Sequence, residues 1–259
     1  MTLEEFFLQH RRVAVAFSGG VDSAYLLYAA KKYAQDLGAY YVTSAFQPAF
    51  EYEDAKRLAD QLGIKLCLIS INILENEKVI SNPADRCYYC KQVIFSQIIQ
   101  QAAKDGFTEL LDGTNASDDA GDRPGMKALK ELKVLSPLRE CGLTKKRIRE
   151  LSKEAGLFTW NKASYACLAT RLPAGSKISR ERLEATERAE DFLMDLGFKN
   201  FRVRMLENRG AGTDAVPLAK IEITEEQLPL FIENREKILG KLKIDYSKIL
   251  LDLEMRNEE

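Results

Sequence analysis

Short apolar runs alternate with amphipathic stretches along the first part of the chain, at the spacing of strands and helices. Residues 13–17 form a continuous apolar run, as expected of a strand buried on both faces of a parallel sheet. Strands that alternate with helices indicate βαβ units, and hence an α/β fold with a doubly wound parallel sheet. The pattern predicts strands over 13–17, 40–46, 64–71 and 109–112, and helices over 24–33, 51–62 and 91–105.

The pattern changes near residue 175. Ser179 is a suitable N-cap for a charged helix that runs to Leu196. Beyond it the pattern predicts strands over 201–206, 218–223 and 249–253, and a helix over 225–239. We therefore expect a large domain over 1–174 and a smaller α/β domain over 175–259, the latter for substrate binding or oligomerisation.

Composition and charge narrow the class of function. The chain has 259 residues, 38 basic against 39 acidic, and a net charge of −1. Nucleic-acid binders usually carry a basic excess, so the balance argues against RNA and for a small-molecule substrate. The chain lacks the long apolar run that a membrane span requires, and its acidic start is unlike a secretory signal, so we expect a cytoplasmic protein without membrane contact. The single histidine, His10, nearly excludes catalytic triads and His-rich zinc sites.

The sequence Ser18-Gly19-Gly20-Val21-Asp22-Ser23 follows the first predicted strand and precedes the first predicted helix. This arrangement points backbone N–H groups at a phosphate, and the two glycines allow close approach. The serine hydroxyls can meet phosphate oxygens, and Asp22 is placed to hold Mg²⁺. Two glycines alone would also suit an ordinary βα turn, and the lysine of a Walker motif is absent.

The complete string resembles the loop of the PP-loop ATP pyrophosphatase superfamily, which includes GMP synthetase, NAD synthetase and tRNA thiolases. The resemblance implies that the chain binds ATP, transfers its adenylyl group to a carboxyl or carbonyl oxygen, and releases pyrophosphate.

Three of the five cysteines are candidates for chemistry. Cys87 and Cys90 stand at CxxC spacing just before a predicted helix, where a thiol pKa is lowered and a metal can be bound by both sulfurs. Cys167 is flanked by small residues that let a ligand come close. The alternative is that these are buried structural thiols, which is the interpretation we adopt for Cys67 and Cys141.

Several motifs in a fixed order resemble the LarE family of pyridinium-3,5-biscarboxylic acid mononucleotide sulfurtransferases. They are SGGVDS at 18–23, DRCYYCK at 85–91, LDGTNASDD at 111–119, RPG at 123–125, SPL at 136–138 and CLATR at 167–171. The resemblance implies a pyridinium nucleotide as substrate, whose carboxylates are adenylylated and sulfurated on the way to a nickel-pincer nucleotide cofactor.

The resemblance offers two sources of sulfur. A [4Fe–4S] cluster bound by Cys87, Cys90 and Cys167 leaves one iron open to carry sulfide. In the other route Cys167 attacks the acyl-adenylate and gives up its own sulfur, so that each protein acts once. Because the chain has all three cysteines, the cluster route is favoured.

Other residues are expected to contact ligands. Thr114 and Asn115 follow a strand at the sheet edge where such folds bind nucleotides, with Asp118 near the metal, although a plain turn has the same residues. Alternate positions along one strand place two arginines on one face, which suits a phosphate or carboxylate, although a solvated charged face has the same pattern. The resemblance assigns them to the substrate's phosphate. The two arginines are Arg202 and Arg204, and two weaker candidates for the same pocket are Glu190 and Glu222.

Two alternatives stay open at this point. A tRNA thiolase uses the same loop and often the same cysteines, and a non-catalytic ATP sensor could share the fold. We expect a homo-oligomer, and the sequence does not identify the sulfur donor.

Overall fold

A computed structural model describes residues 1–118, 124–208 and 216–257. The contacts among these residues divide the chain into two compact units, one bounded by Met1–Val79 with Ala84–Lys162 and one by Ile80–Pro83 with Ala163–Glu259. Arg123 and Asp119, from two of the motifs, lie outside the described residues. The functional division at 174/175 stays a prediction. No helix within the described ranges is long and apolar enough to cross a membrane.

The first unit is built around a parallel sheet in the order β3-β2-β1-β4. Its strands are β1 (Arg12–Ala16), β2 (Asp36–Thr43), β3 (Leu66–Ser70) and β4 (Leu110–Leu111). The helices of this part are α1 (Leu3–Gln9), α2 (Val21–Tyr33), α3 (Ala49–Leu62), α4 (Glu77–Ile80), α5 (Arg86–Lys104), α6 (Pro124–Glu131), α7 (Pro137–Glu140) and α8 (Lys145–Glu154). The parallel order with intervening helices confirms the predicted α/β fold.

Strand β1 separates two apolar layers. Val13 and Val15 pack with α1, α2 and α8, whereas Ala14, between them, packs with α5 on the opposite side. All three are fully buried, because side chains alternate across a strand and both faces of this strand are covered. The continuous apolar run of the sequence therefore does mark a doubly covered strand.

Helix α5 begins earlier than the sequence pattern suggests. The prediction placed Cys87 and Cys90 before a helix that starts at Lys91, but the helix begins at Arg86. The Tyr88 amide donates to the Asp85 carbonyl at 2.9 Å, so the turn after Pro83 already leads into the helix. The CxxC sequence thus forms the first turn of α5.

The second unit carries a separate sheet in the order β5-β6-β7, with β5 antiparallel and β7 parallel to β6. Its strands are β5 (Arg202–Leu206), β6 (Leu218–Glu222) and β7 (Lys248–Leu251), and its helices are α9 (Arg180–Asp195), α10 (Leu228–Glu233) and α11 (Arg235–Leu242). Ser179 caps α9 as predicted, its Oγ accepting from the Arg182 amide. The helix predicted over 225–239 is interrupted at Asn234, which separates α10 from α11.

Glu190 on α9 is the centre of a buried polar network in the second unit. Its Oε1 accepts from Arg171 Nε at 2.7 Å and from the Val203 amide at 2.8 Å. Its Oε2 accepts from Arg171 Nη2 at 3.0 Å and from the Tyr165 hydroxyl. The Glu190 and Arg171 side chains are at most 1% exposed. A buried ion pair of this kind is tolerated only when its hydrogen bonds are satisfied, because both charges have lost their contact with water.

We predict that Glu190→Ala lowers the free energy of unfolding by about 3–5 kcal/mol, because it leaves the Arg171 guanidinium buried without its carboxylate. Urea denaturation followed by circular dichroism measures this loss. Glu150→Ala is the control, since it breaks only the exposed Arg147–Glu150 pair and should cost less than about 1 kcal/mol. Equal stabilities of the two variants would show that the network does not hold this unit together.

Candidate active site

The phosphate loop leaves the end of β1 and enters α2. Gly19 has a φ of +80°, which favours glycine, and Gly20 is the N-cap of the helix. The hydroxyls of Ser18 and Ser23 lie 3.0 Å apart, and Ser23 Oγ donates to the Gly20 carbonyl at 3.1 Å. The first N–H groups of α2 have no acceptor within their own helix, so the loop is arranged to receive an anion.

Asp22 lies at the start of α2 with its two carboxylate oxygens in different surroundings. Oδ2 accepts from Lys145 Nζ at 2.5 Å, whereas Oδ1 is buried and has no hydrogen-bond partner among the described residues. Burial raises the pKa of Asp22, although Lys145 opposes the rise. An orphaned carboxylate oxygen beside a phosphate loop fits a hard cation such as Mg²⁺. Nothing in the sequence pattern singled out Lys145.

The loop after β4 packs directly against the phosphate loop. A Cβ atom built on Gly113 would lie 2.8 Å from the Ser23 backbone nitrogen and 3.0 Å from its Cα, closer than real Cβ atoms come. Because β4 and β1 are parallel neighbours, both loops emerge at the carboxyl edge of the sheet, where such folds bind ligands. The predicted nucleotide residues of the two loops are therefore brought together.

Hydrogen bonds within the second loop determine the positions of its side chains. Asp112 accepts from the hydroxyls of Thr114 at 2.5 Å and Ser136 at 2.6 Å. Asn115 Oδ1 accepts from the Ser117 amide, and the Asn115 amide donates to Asp118 Oδ2 at 2.9 Å. These bonds join the LDGTN and SPL motifs through the buried Asp112 carboxylate. That Thr114 and Asn115 contact the nucleotide, and Asp118 a metal, stays a prediction.

The five cysteines all lie in the described ranges, and none forms a disulfide. Cys87 and Cys90, three residues apart, lie on one side of the first turn of α5, and Cys87 is exposed. Burial raises the pKa of Cys67 and of Cys141, as expected of structural thiols.

Cys167 belongs to the second unit, whereas the CxxC pair belongs to the first. Across the described residues the structure gathers no group of three His, Cys, Asp or Glu side chains that could hold a metal ion. Two of the thiols expected for a cluster are thus arranged together within the first unit, and the three-cysteine site stays a prediction.

Arginine side chains hold the segment 164–171, which carries Cys167. Arg202 Nη2 donates to the Ser164 carbonyl and Arg204 Nη1 to the Thr170 carbonyl at 3.0 Å. Arg171 Nη1 donates to the Ala166 carbonyl at 3.0 Å. The structure therefore brings the two predicted substrate arginines to the segment that bears Cys167.

These arginines differ in how their charge is balanced. Arg204 donates to Glu222 Oε1 at 2.5 Å, and Lys220 and Arg256 also pair with that carboxylate. Arg202 is 7% exposed, and burial, followed by repulsion from Arg171 and Arg256, lowers its pKa to about 10. An anion that binds beside this buried guanidinium would stabilise its charged form. Glu190, in contrast, already uses both oxygens within the unit.

Comparisons with known proteins find related sequences over parts or most of the chain. A family model described as asparagine synthase matches residues 6–116, which include the phosphate loop and the loop after β4. An uncharacterised protein of Synechocystis is 35% identical over 97% of this chain and 92% of its own length. A tRNA-specific 2-thiouridylase of Thermotoga petrophila is 25% identical over 56% of this chain and 52% of its own.

A relative with an assigned activity matches nearly the whole chain. The pyridinium-3,5-bisthiocarboxylic acid mononucleotide synthase of Lactiplantibacillus plantarum is 32% identical over 94% of this chain and 86% of its own length. The match extends over both units, well beyond the phosphate loop that all PP-loop enzymes share. The chain therefore belongs to the LarE family of PP-loop, ATP-dependent sulfurtransferases.

Proposed function

We propose that this enzyme uses ATP to activate the carboxylates of pyridinium-3,5-biscarboxylic acid mononucleotide and replaces one oxygen of each with sulfur. The observation that carries the proposal is the packing of Gly113 on Ser23, which joins the phosphate loop and the second loop at one sheet edge. The name of the relative from Lactiplantibacillus plantarum supports the choice of substrate.

The reaction has two substitutions. A carboxylate oxygen of the substrate attacks the α-phosphorus of ATP, the bond to the β-phosphate oxygen breaks, and pyrophosphate leaves. A sulfur nucleophile then attacks the carbonyl carbon of the acyl-adenylate, and the carbon–oxygen bond to AMP breaks. The first N–H groups of α2 would stabilise negative charge on the departing pyrophosphate.

Asp22 would hold Mg²⁺ through its orphaned Oδ1, and the ion would neutralise charge on the pyrophosphate. Lys145, on Oδ2, keeps the carboxylate oriented and opposes the rise of its pKa. In the second unit, the desolvated Arg202 guanidinium supports binding of the substrate's phosphate, with Arg204 beside it. Glu222 is bonded to Arg204 and orients that guanidinium.

The sulfur source is part of the proposal. The CxxC turn on α5, in which Cys87 is exposed, supports together with Cys167 a [4Fe–4S] cluster, which would supply sulfide when bound. Otherwise the Cys167 thiolate displaces AMP from the acyl-adenylate to form a thioester. Loss of the Cα proton then breaks the Cβ–S bond, which leaves the thiocarboxylate on the substrate and dehydroalanine at position 167. Electrostatic coupling between Cys167 and Arg171 would stabilise its thiolate in either route.

A tRNA substrate has weaker support. The tRNA-specific 2-thiouridylases match little more than half of the chain, at 24–29% identity. The chain has 38 basic and 39 acidic residues, so it lacks the excess of positive charge that usually attracts the phosphate backbone of RNA.

Asp22→Asn should reduce ATP-dependent pyrophosphate release by about 100-fold or more, because the neutral amide binds Mg²⁺ poorly. Pyrophosphate release is measured with the pyridinium biscarboxylate as acceptor across a magnesium titration. Asp36→Asn makes the same change in an exposed pair with Arg12 and should leave the rate unchanged. A rate for Asp22→Asn within threefold of wild type would contradict the assignment.

Gly113→Ala should raise the KM for ATP about tenfold and lower the melting temperature, since the added methyl group displaces the backbone at Ser23. Gly240→Ala is the matched control, because an added Cβ there meets no described atom within 4 Å. That control should retain the wild-type KM. An unchanged KM for Gly113→Ala would mean that the two loops do not depend on each other.

Anaerobic reconstitution with iron and sulfide should load about four iron atoms per chain, and Cys87→Ala should lose most of them. Iron and acid-labile sulfide are assayed chemically, with Cys67→Ala as a control that keeps the wild-type content. If the wild type instead binds no iron, transfers one sulfur atom per chain and loses the mass of H₂S from Cys167, the cluster is excluded and Cys167 is the sulfur source.

A further inference from the structure

Lys162 lies at the end of the first unit with its ammonium group against the phosphate loop. Its Nζ donates to the Gly19 carbonyl oxygen at 3.3 Å. The same nitrogen pairs with Glu51 Oε2 at 2.8 Å and with Asp54 Oδ2 at 2.7 Å. The Lys162 and Glu51 side chains are 14% and 10% exposed, so this ion pair is largely withdrawn from water.

The position of Lys162 is supported from its own backbone. Arg149 on α8 donates to the carbonyl oxygens of Trp160 and Lys162 at 2.9 and 3.0 Å. On the other side, a Cβ atom built on Gly19 would lie 3.1 Å from the carbonyl oxygen and from Oε2 of Glu51. The loop, the first turns of α3 and the lysine are therefore packed on one another without spare room.

The hydrogen bond to Gly19 determines the orientation of the next N–H group. In a planar trans peptide the C=O and the following N–H point in opposite directions. Because Lys162 holds the Gly19 carbonyl, the Gly20 N–H is turned away from the lysine. Gly20 is the N-cap of α2, the end of a helix at which an anion is stabilised.

We propose that Lys162 is a positioning residue of the phosphate loop: it fixes the Gly19–Gly20 peptide plane so that the Gly20 N–H faces the pyrophosphate portion of ATP. Glu51 and Asp54 hold the ammonium at the carbonyl and already balance its charge, so its role is orientation. The inference rests on the proposed function in that the loop binds pyrophosphate.

The test measures binding of magnesium pyrophosphate to the full chain by calorimetry. The double variant Lys162→Met/Glu51→Gln removes one positive and one negative charge, so the net charge is unchanged and the buried Glu51 is not left as an unpaired carboxylate. Asp54 loses its partner in this variant, but its side chain is 31% exposed and stays in contact with water. We expect its affinity for pyrophosphate to be about tenfold weaker than that of the wild type and of Glu51→Gln alone. Lys162→Arg keeps a donor and should restore affinity to within about threefold of wild type.

Lys153→Met is the control for loss of a lysine. Its ammonium lies over the Trp160 ring, 4.6 Å from the centroid, and the variant should bind pyrophosphate as the wild type does. Thermal denaturation of each variant checks that it is folded. If the double variant binds as tightly as Glu51→Gln, the positioning role is overturned while the proposed function stands. If the wild type does not bind pyrophosphate, the proposed function itself fails.

A second measurement does not depend on the double variant being folded. With ¹⁵N-labelled glycine, the Gly20 amide resonance of the wild type should move on addition of magnesium pyrophosphate. A Gly20 resonance that stays in place while pyrophosphate binds would overturn the proposal, because that N–H would then not face the anion.

Discussion

The pairing of β1 with parallel strands on both sides is the constraint on which the candidate site depends. β1 is hydrogen-bonded to β2 and to β4, and its side chains are buried on both faces. A strand in this position cannot shift its register by one residue without exchanging its two apolar layers. The parallel pairing of β1 with β4 therefore fixes the positions of the loops that follow these strands at the carboxyl edge of the sheet. The contact between the two loops is a consequence of that pairing.

Buried charges are compensated in a different way in each unit. In the first unit, Lys145 and Lys162 sit on carboxylates at either side of the phosphate loop. In the second unit, arginines bond to backbone carbonyls of the segment that carries Cys167. Buried charges are costly unless each is paired, so both arrangements limit how far their loops can move independently.

The fold class, the phosphate loop and the second loop were predictable because they depend on local patterns. An apolar run, a glycine-rich turn and a capped helix can each be recognised within a short stretch of sequence. Lys145 and Lys162 were not predictable, since they meet Asp22 and Gly19 across more than a hundred residues and follow no short motif. The start of α5 was misplaced because tyrosines and cysteines are weak helix formers, so the pattern identified the helix only from Lys91. Whether the three predicted cluster cysteines meet depends on both units, and no local pattern reports it.

The contact between Gly113 and Ser23 has a mechanical consequence. The gap between the two backbones is smaller than a methyl group, and a close-packed interior of this kind transmits displacement because it cannot be compressed. Ser23 therefore cannot move towards Gly113 without displacing it. Such a displacement acts on the segment that the Asp112 carboxylate ties to Thr114 and Ser136, so the two loops are coupled against compression.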